Sequence, residues 1–290
     1  PQKYSGERFT NGLQIFLYGL FLKVIIADNI APIIDPIFKN PDLYGSLVIW
    51  VAVIGYSVQI FCDFCGYSEM AIGIALSLGF VLPVNFRTPY MATDLFDFWR
   101  RWHISLSTWL RDYIYIPLGG NRKGVSRLCV NVLITMFLGG LWHGANIKFI
   151  LWGLYHALGI LINRLLISLF PTRFVSNPVL IFCKWLTTFF FVTCGWVLFR
   201  AENLEKAGQL YKKMFFESTG DVDWSFFSSQ NLFFLPCIII VHFWFYVTAR
   251  ESLYFKPGSF IFFFYIISMI LVVFFFAPID GKQSFIYFQF

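Results

Sequence analysis

The stretch Leu128-Cys129-Val130-Asn131-Val132-Leu133-Ile134-Thr135-Met136-Phe137-Leu138-Gly139-Gly140-Leu141 contains no charged residue, and Trp142-His143-Gly144 follows it directly. Arg122, Lys123 and Arg127 stand just before it. An apolar run entered through a basic segment reads as a membrane-crossing helix whose basic end is cytoplasmic. Working outward, further apolar runs occupy 12–26, 47–61 (continuing toward Phe80), 149–170, 179–199, 231–247 and 260–277. A backbone in lipid must satisfy its own polar groups, which leaves helices as the spanning element for runs of this length. The pattern predicts an all-α, multi-pass transmembrane protein with re-entrant and interfacial amphipathic helices.

Composition agrees. Hydrophobic residues make up 58% of the 290-residue chain and charged residues only 13%, against about 25% charged in soluble domains. That share is too small to cover a water-facing surface, and 38 Phe suit a lipid-facing exterior. The net charge of +6 gathers in short segments between apolar runs, which fits cytoplasmic loops rather than a nucleic-acid-binding face. The partner so implied is the lipid bilayer, with no nucleic acid. The chain starts at Pro1 without a signal-peptide pattern, and Lys3 and Arg8 lead straight into an apolar run. This reads as the interior of a longer protein lacking earlier membrane segments.

Two runs are imperfect. The first contains Lys23 and ends at Asp28-Asn29, and the second is interrupted by Asp63 and Glu69. Charges at membrane depth are costly and face a protein interior or a cavity, so both runs are expected to be broken or re-entrant. Arg87, Arg100, Arg101, Arg111, Arg122, Lys123 and Arg127 all lie between Phe80 and Leu128, which places that region in the cytoplasm. Within it Leu95, Phe98, Trp99, Trp102, Leu106, Trp109, Leu110 and Tyr113 recur at three- and four-residue steps. At about 100° per residue they share roughly 120° of one helix face. Segment 94–113 therefore predicts one helix lying in the interface plane, capped by Thr93 or Asp94 and ended by Pro117 and Gly119-Gly120. His103 falls at the edge of its apolar face. The polar connection 200–229 predicts a surface loop or a short extramembrane helix.

Four His are present: His103, His143, His156 and His242. His242, flanked by apolar residues, reads as a packed core histidine. His143 follows apolar residues and sits among Gly139, Gly140 and Gly144, which permit close approach of a helix or a ligand. Desolvation keeps such an imidazole neutral, the form a general base requires. Metal ligation is the alternative use. His143 and His156 lie far apart in sequence, and no familiar ligand set accompanies them, so no metal is assigned. Ser105 and Ser107 lack a nucleophile-elbow pattern. Cys62 and Cys65 have redox or metal spacing without a second pair, and read as structural. Asp63, Glu69, Asn131 and Asn146 are either helix–helix contacts or site residues. The segment 119–124 lacks phosphate-loop spacing and reads as a basic turn.

Several blocks resemble the membrane-bound O-acyltransferases, within them the alginate O-acetylase-like branch. They are CDFCGYSEMAIG (62–73), NFRTPY (85–90), DFWRRWHISLS (97–107), WLRDYIYIPLGGNRKG (109–124), LGGLWHGA (138–145), WGLYH (152–156) and FIYFQF (285–290). Cys65 and Glu69 stand where Ser and Asp are expected, outside both His blocks. The resemblance implies one O-acyltransferase domain over 1–290 in a bacterial inner membrane, with His143 catalytic and His103 the second functional position. It implies acetyl transfer to a hydroxyl of an exported polysaccharide or cell-wall glycan. The donor would be acetyl-CoA or another acyl thioester, with no bound cofactor. Trp142, Asn146, Trp102, Trp152 and His156 are the candidate substrate-binding residues, with His103 or Asn146 facing the oxyanion. The expected partners are the acyl donor and an extracytoplasmic acetyltransferase or glycan-synthesis protein. The alternative reading is a transmembrane acetyl conduit that hands the group to such a partner, for which broken, charged spans would suit.

Overall fold

The structure, a computed structural model, describes residues 5–169, 177–217 and 255–278. His242 and the run at 231–247 lie outside the described residues. No strand occurs among those described. Among the described residues, five helical segments are long and apolar enough to cross a membrane: Gly6–Lys39, Ser46–Ser77, Gly124–Trp142, Ile147–Leu169 and Pro178–Arg200. Two compact units share the described chain, one holding 5–37, 50–85 and 255–278 and the other 38–49, 86–169 and 177–217.

The first unit begins with α1 (Gly6–Leu20), whose start is capped by Ser5 accepting from Arg8 N. A π-helical segment, Phe21–Ala27, joins it to α2 (Asp28–Lys39). Lys23 and Asp28, five residues apart, would stand about 140° apart around an α-helix. The π segment instead closes Asp28 N onto Lys23 O, and the Lys23 ammonium reaches Asp28 Oδ1 at 2.7 Å and Asp63 Oδ1 at 2.6 Å. Asp63 lies on α3 (Ser46–Ser77), which is one uninterrupted 32-residue helix. The expected break or re-entry in that second run is thus overturned. Its buried carboxylate finds an ammonium from α1's extension, so the backbone has no need to leave the helix. The first run is likewise continuous helix from Gly6 to Lys39, interrupted in hydrogen-bond register only.

Glycines set how closely α1 and α3 approach. A β-carbon on Gly19 would come within 2.5 Å of Gly66 O, and one on Gly73 within 2.5 Å of Gly12 O. The pairing of Gly12 with Gly73 and Gly19 with Gly66 makes the helices antiparallel and places backbone directly on backbone. In lipid, where no hydrophobic force joins helices, such contact is a main source of cohesion. The third member is α10 (Phe260–Phe276), capped by Ser259 accepting from Phe262 N at 3.2 Å. The Gln14 amide exchanges two bonds with the Phe255 backbone, and Asn29 Nδ2 donates to Phe276 O at 3.1 Å. Phe260 and Phe274 remain 84% and 77% exposed, as a lipid-facing surface requires.

In the second unit, α6 (Gly124–Trp142) and α7 (Ile147–Leu169) form a helical hairpin whose turn contains His143 and Gly144. Again glycine brings them together: a β-carbon on Gly153 would lie 3.1 Å from Met136 C and 3.2 Å from Gly140 N. α8 (Pro178–Arg200) packs on α7. The amphipathic α9 (Leu204–Phe215) follows, capped by Asn203, and Tyr211 donates from its hydroxyl to Cys194 O at 2.8 Å. It supplies the short helix expected within 200–229.

Candidate functional site

The predicted single helix over 94–113 is two helices, α4 (Leu95–Arg101) and α5 (Ile104–Leu110), followed by a π-helical turn at Arg111–Tyr115. Asp94 is the N-cap, accepting from Asp97 N. The break falls at Trp102-His103, where His103 adopts φ +43° and ψ +56°. Thr88 has nearly the same left-handed backbone, with φ +43°. Such a conformation costs an L residue about 1–3 kcal/mol and persists only where its surroundings enforce it. Here Arg101 enforces it. Its guanidinium holds Asp97 Oδ2 at 2.8 Å, Arg87 O at 3.3 Å and Thr88 Oγ1 at 3.3 Å, and its carbonyl accepts from Arg87 N at 3.0 Å. Ser107 adds a bond to Trp102 O at 3.0 Å, which commits its hydroxyl to the break.

The turn aims His103 at α6. Its ring meets Trp142 edge-on with centroids 5.9 Å apart, and the other neighbour of Trp142 is His143, at 5.0 Å. The two histidines separated by a long stretch of sequence therefore share one indole. His143 also packs against Trp152 at 5.2 Å and Phe199 at 5.0 Å. Both imidazoles are buried, at 7% and 8% exposure. Burial lowers His103 to about 4. Burial, assisted by the repulsion of a charged His103, lowers His143 to about 3. Both are neutral at physiological pH and able to accept a proton.

His156 completes the cluster one helical turn from Trp152 on α7. It is fully buried, with Trp152 at 4.9 Å, Trp99 at 5.2 Å and Phe98 stacked at 6.2 Å. Trp102 is 2% exposed and stacks on Phe98 at 5.7 Å, with Trp196 at 4.9 Å. Of the sequence-predicted residues, His103, His143, His156, Trp102, Trp142 and Trp152 thus form one connected aromatic assembly. Trp142 is 55% exposed and caps it from outside.

Asn146 behaves differently. It is exposed, and its Oδ1 accepts from Lys148 N at 3.1 Å at the start of α7. It serves as a helix cap, because an Asn just before a helix satisfies the first free N–H groups. Asn131 is fully buried and donates to Gly120 O at 2.9 Å, so it anchors the basic turn. Ser105 Oγ lies 3.4 Å from His103 Nδ1. Sequence reasoning missed Arg101 as the clamp of the break, and it missed Lys148. The Lys148 ammonium is buried, donates to Ala201 O at 2.8 Å and sits 4.7 Å from the Phe149 ring centroid. It ties the end of α8, and with it Phe199, to the start of α7. The signal available was a lone Lys at the edge of an apolar run.

The chain matches the family model described as MBOAT, membrane-bound O-acyltransferase family, over residues 1–205. It belongs to that family. Among its curated relatives, "Probable alginate O-acetylase AlgI" of Pseudomonas putida is 48% identical over 218 residues, 74% of this chain and 43% of that protein. "Peptidoglycan O-acetyltransferase" of Helicobacter pylori is 44% identical over 203 residues, covering 70% and 38%. "Teichoic acid D-alanyltransferase" of Bacillus subtilis is 34% identical over 168 residues, covering 54% and 41%. The chain spans less than half the length of these relatives. The match over residues 1–205 includes the positions of His103, Trp142, His143 and His156.

Proposed function

We propose that the protein is an O-acyltransferase of a bacterial inner membrane. It moves an acetyl or related acyl group from a cytoplasmic thioester such as acetyl-CoA toward a hydroxyl of an exported polysaccharide or cell-wall glycan. The observation that carries this reading is the pair of buried, neutral imidazoles, His103 and His143, on either side of Trp142. His143 is the general base. The acceptor hydroxyl gives its proton to His143 as its oxygen bonds to the thioester carbonyl carbon. The C–S bond then breaks and the thiolate leaves with that proton. Neutral His103 donates an N–H to the oxygen on which charge develops. Asn146, whose Oδ1 caps α7, keeps its amide N–H groups as the alternative donor to that oxygen. Trp142 and Trp152 exclude the water that would otherwise consume the thioester. The names of the relatives, two O-acetyltransferases of glycans and a D-alanyltransferase, support a glycan-side hydroxyl acceptor.

His143→Ala is expected to lower acyl transfer by about 10²–10⁴-fold, the usual worth of a general base, at unchanged membrane abundance. Cell-surface O-acyl content measures it, and full acylation in the variant would remove His143 from the mechanism. The conduit reading, with an extracytoplasmic partner as the terminal transferase, drew its support from broken spans. Helix α3 is unbroken, and Lys23 closes on both Asp28 and Asp63, so the terminal-transferase reading is preferred. Purified protein that acylates a glycan fragment from the thioester, with no partner added, is the expected result.

A further inference from the structure

Two hydroxyls follow the break at His103, and they are used differently. Ser107 Oγ bonds to Trp102 O and so holds backbone. Ser105 Oγ lies 3.4 Å from His103 Nδ1 and so meets a side chain of the proposed chemistry. In the continuous helix that the periodicity of 94–113 predicts, residues two apart stand about 200° apart and do not face each other. The left-handed backbone at His103, φ +43° and ψ +56°, removes that separation. The His103 imidazole caps no backbone N–H of α5, which leaves Nδ1 for the hydroxyl. The second ring nitrogen, Nε2, is buried.

A neutral imidazole carries one ring proton, on Nδ1 or on Nε2, and the nitrogen without it accepts. Burial keeps His103 neutral, so the hydrogen bond at one nitrogen decides the state of the other. A bare imidazole nitrogen is a far stronger base than an aliphatic hydroxyl oxygen. The favoured form of the contact is therefore O–H···N, with the hydroxyl donating. We propose that Ser105 is a positioning residue whose hydroxyl donates to His103 Nδ1 and so holds the ring proton on Nε2. This rests on the acyltransferase reading above, in which His103 presents an N–H to the oxygen that gains charge. The opposite tautomer would leave a lone pair on Nε2, and the site would hold two bases and lose that donor. Ser105 forms no covalent bond in this role, and its proton stays on its own oxygen.

The tautomer can be read without turnover. The full chain, carrying ¹⁵N-labelled histidine and held in lipid nanodiscs, is measured by solid-state NMR, in which protonated and bare ring nitrogens resonate far apart. His103→Gln identifies the His103 signals. In the unmodified protein Nε2 is expected to be protonated and Nδ1 bare. Ser105→Ala, a change at an exposed position, should bring protonated Nδ1 into the spectrum. Ser105→Thr keeps the hydroxyl and should not. In Ser105→Ala the kcat of acyl transfer should fall about fivefold, one neutral hydrogen bond's worth, with KM unchanged, and Ser105→Thr should restore it. A His103 tautomer unmoved by Ser105→Ala would overturn the proposal, as would a protonated Nδ1 in the unmodified protein. A shifted tautomer with normal kcat would overturn it equally, since the place of the proton would then be without consequence. His143→Ala should lose transfer yet keep the His103 proton on Nε2. Transfer retained in that variant would defeat the acyltransferase mechanism while leaving the tautomer measurement standing.

Discussion

The protein buries polar side chains in two contrasting ways. In the first unit, Lys23, Asp28 and Asp63 answer one another: one ammonium between two carboxylates at 2.7 and 2.6 Å. In the second, His103, His143 and His156 are enclosed by aromatic rings, and the two that lie outside the spanning helices are held neutral by desolvation. The first arrangement pairs its charges with one another. The second keeps basic nitrogens, which is what proton transfer needs and what a purely structural core avoids. Charge at membrane depth marks a functional site by default. In this molecule the charged cluster is internally paired, and the proposed site is the uncharged one.

Removing one charge is the hardest blow to that contrast. Asp63→Ala leaves the Lys23 ammonium paired with Asp28 alone, and the charge-assisted hydrogen bond it loses is worth about 1.5–3 kcal/mol. The expected outcome is a lower thermal-unfolding midpoint in detergent and reduced membrane abundance, with transfer per folded molecule unchanged. Lys23→Met in the Asp63→Leu background should deepen the loss, since it strands the Asp28 carboxylate without its ammonium. If Asp63→Ala instead abolishes transfer in fully folded protein, the charge cluster belongs to the chemistry and the contrast fails.

A gentler intervention uses the glycines of both units. Gly66→Ala forces a methyl to within 2.6 Å of Gly19 O, and Gly140→Ala puts one 3.0 Å from the carbonyl carbon of Phe149. Overpacking of this kind costs about 1–3 kcal/mol. Gly66→Ala should lower stability alone. Gly140→Ala should lower both stability and transfer, because α6 and α7 meet there just before His143. Unfolding midpoints beside specific activity of the folded fraction distinguish the two.

Much of this was legible in the residues. The runs at 128–141, 149–170 and 179–199 became helices close to those bounds, and Asp94 caps where a short acceptor before a periodic segment should. His143 stood out because three glycines and a Trp surround it. What escaped was decided by partners distant in sequence. The periodicity of 94–113 says nothing of a break at His103, since the left-handed turn is imposed by Arg101 gripping Arg87 O and Thr88 Oγ1. Asp63 reads as a helix breaker until Lys23 is known to face it. The capping role of Asn146 escaped as well, since its Oδ1 accepts from Lys148 N just beyond the Trp-His-Gly block.

Arg101 supplies the next test. Arg101→Gln removes the fork and lets the backbone at Thr88 and His103 relax toward ordinary conformations, returning about 1 kcal/mol or more of local strain. Stability should change little, since lost hydrogen bonds and released strain oppose each other. Transfer should fall through kcat because His103 no longer faces Trp142. Arg101→Lys keeps the charge without the planar fork and should restore only a minor part of the activity. A variant with normal kcat would show that the turn at His103 holds without its clamp.

The smallest effect concerns pH, and its sign is fixed by burial. His103 and His143 titrate near 4 and 3 in the folded protein, below the ordinary histidine value of about 6.5. Between those limits the unfolded chain binds protons that the folded chain refuses, so stability is full above about pH 6.5 and declines as pH falls toward 4. Above 6.5 neither state is protonated at these rings and their contribution is flat. Transfer by neutral His143 should likewise persist from pH 8 to 5 wherever the protein stays folded, without the inflection near 6.5 that an exposed histidine base produces. His103→Gln removes the repulsion that helps keep His143 deprotonated, and should raise its titration point. Because desolvation is the larger cause, the base stays neutral at physiological pH in that variant. A wild-type pH–rate profile with a clear inflection between 6 and 7 would mean that His143 meets water, and that Trp142 and Trp152 do not seal the site.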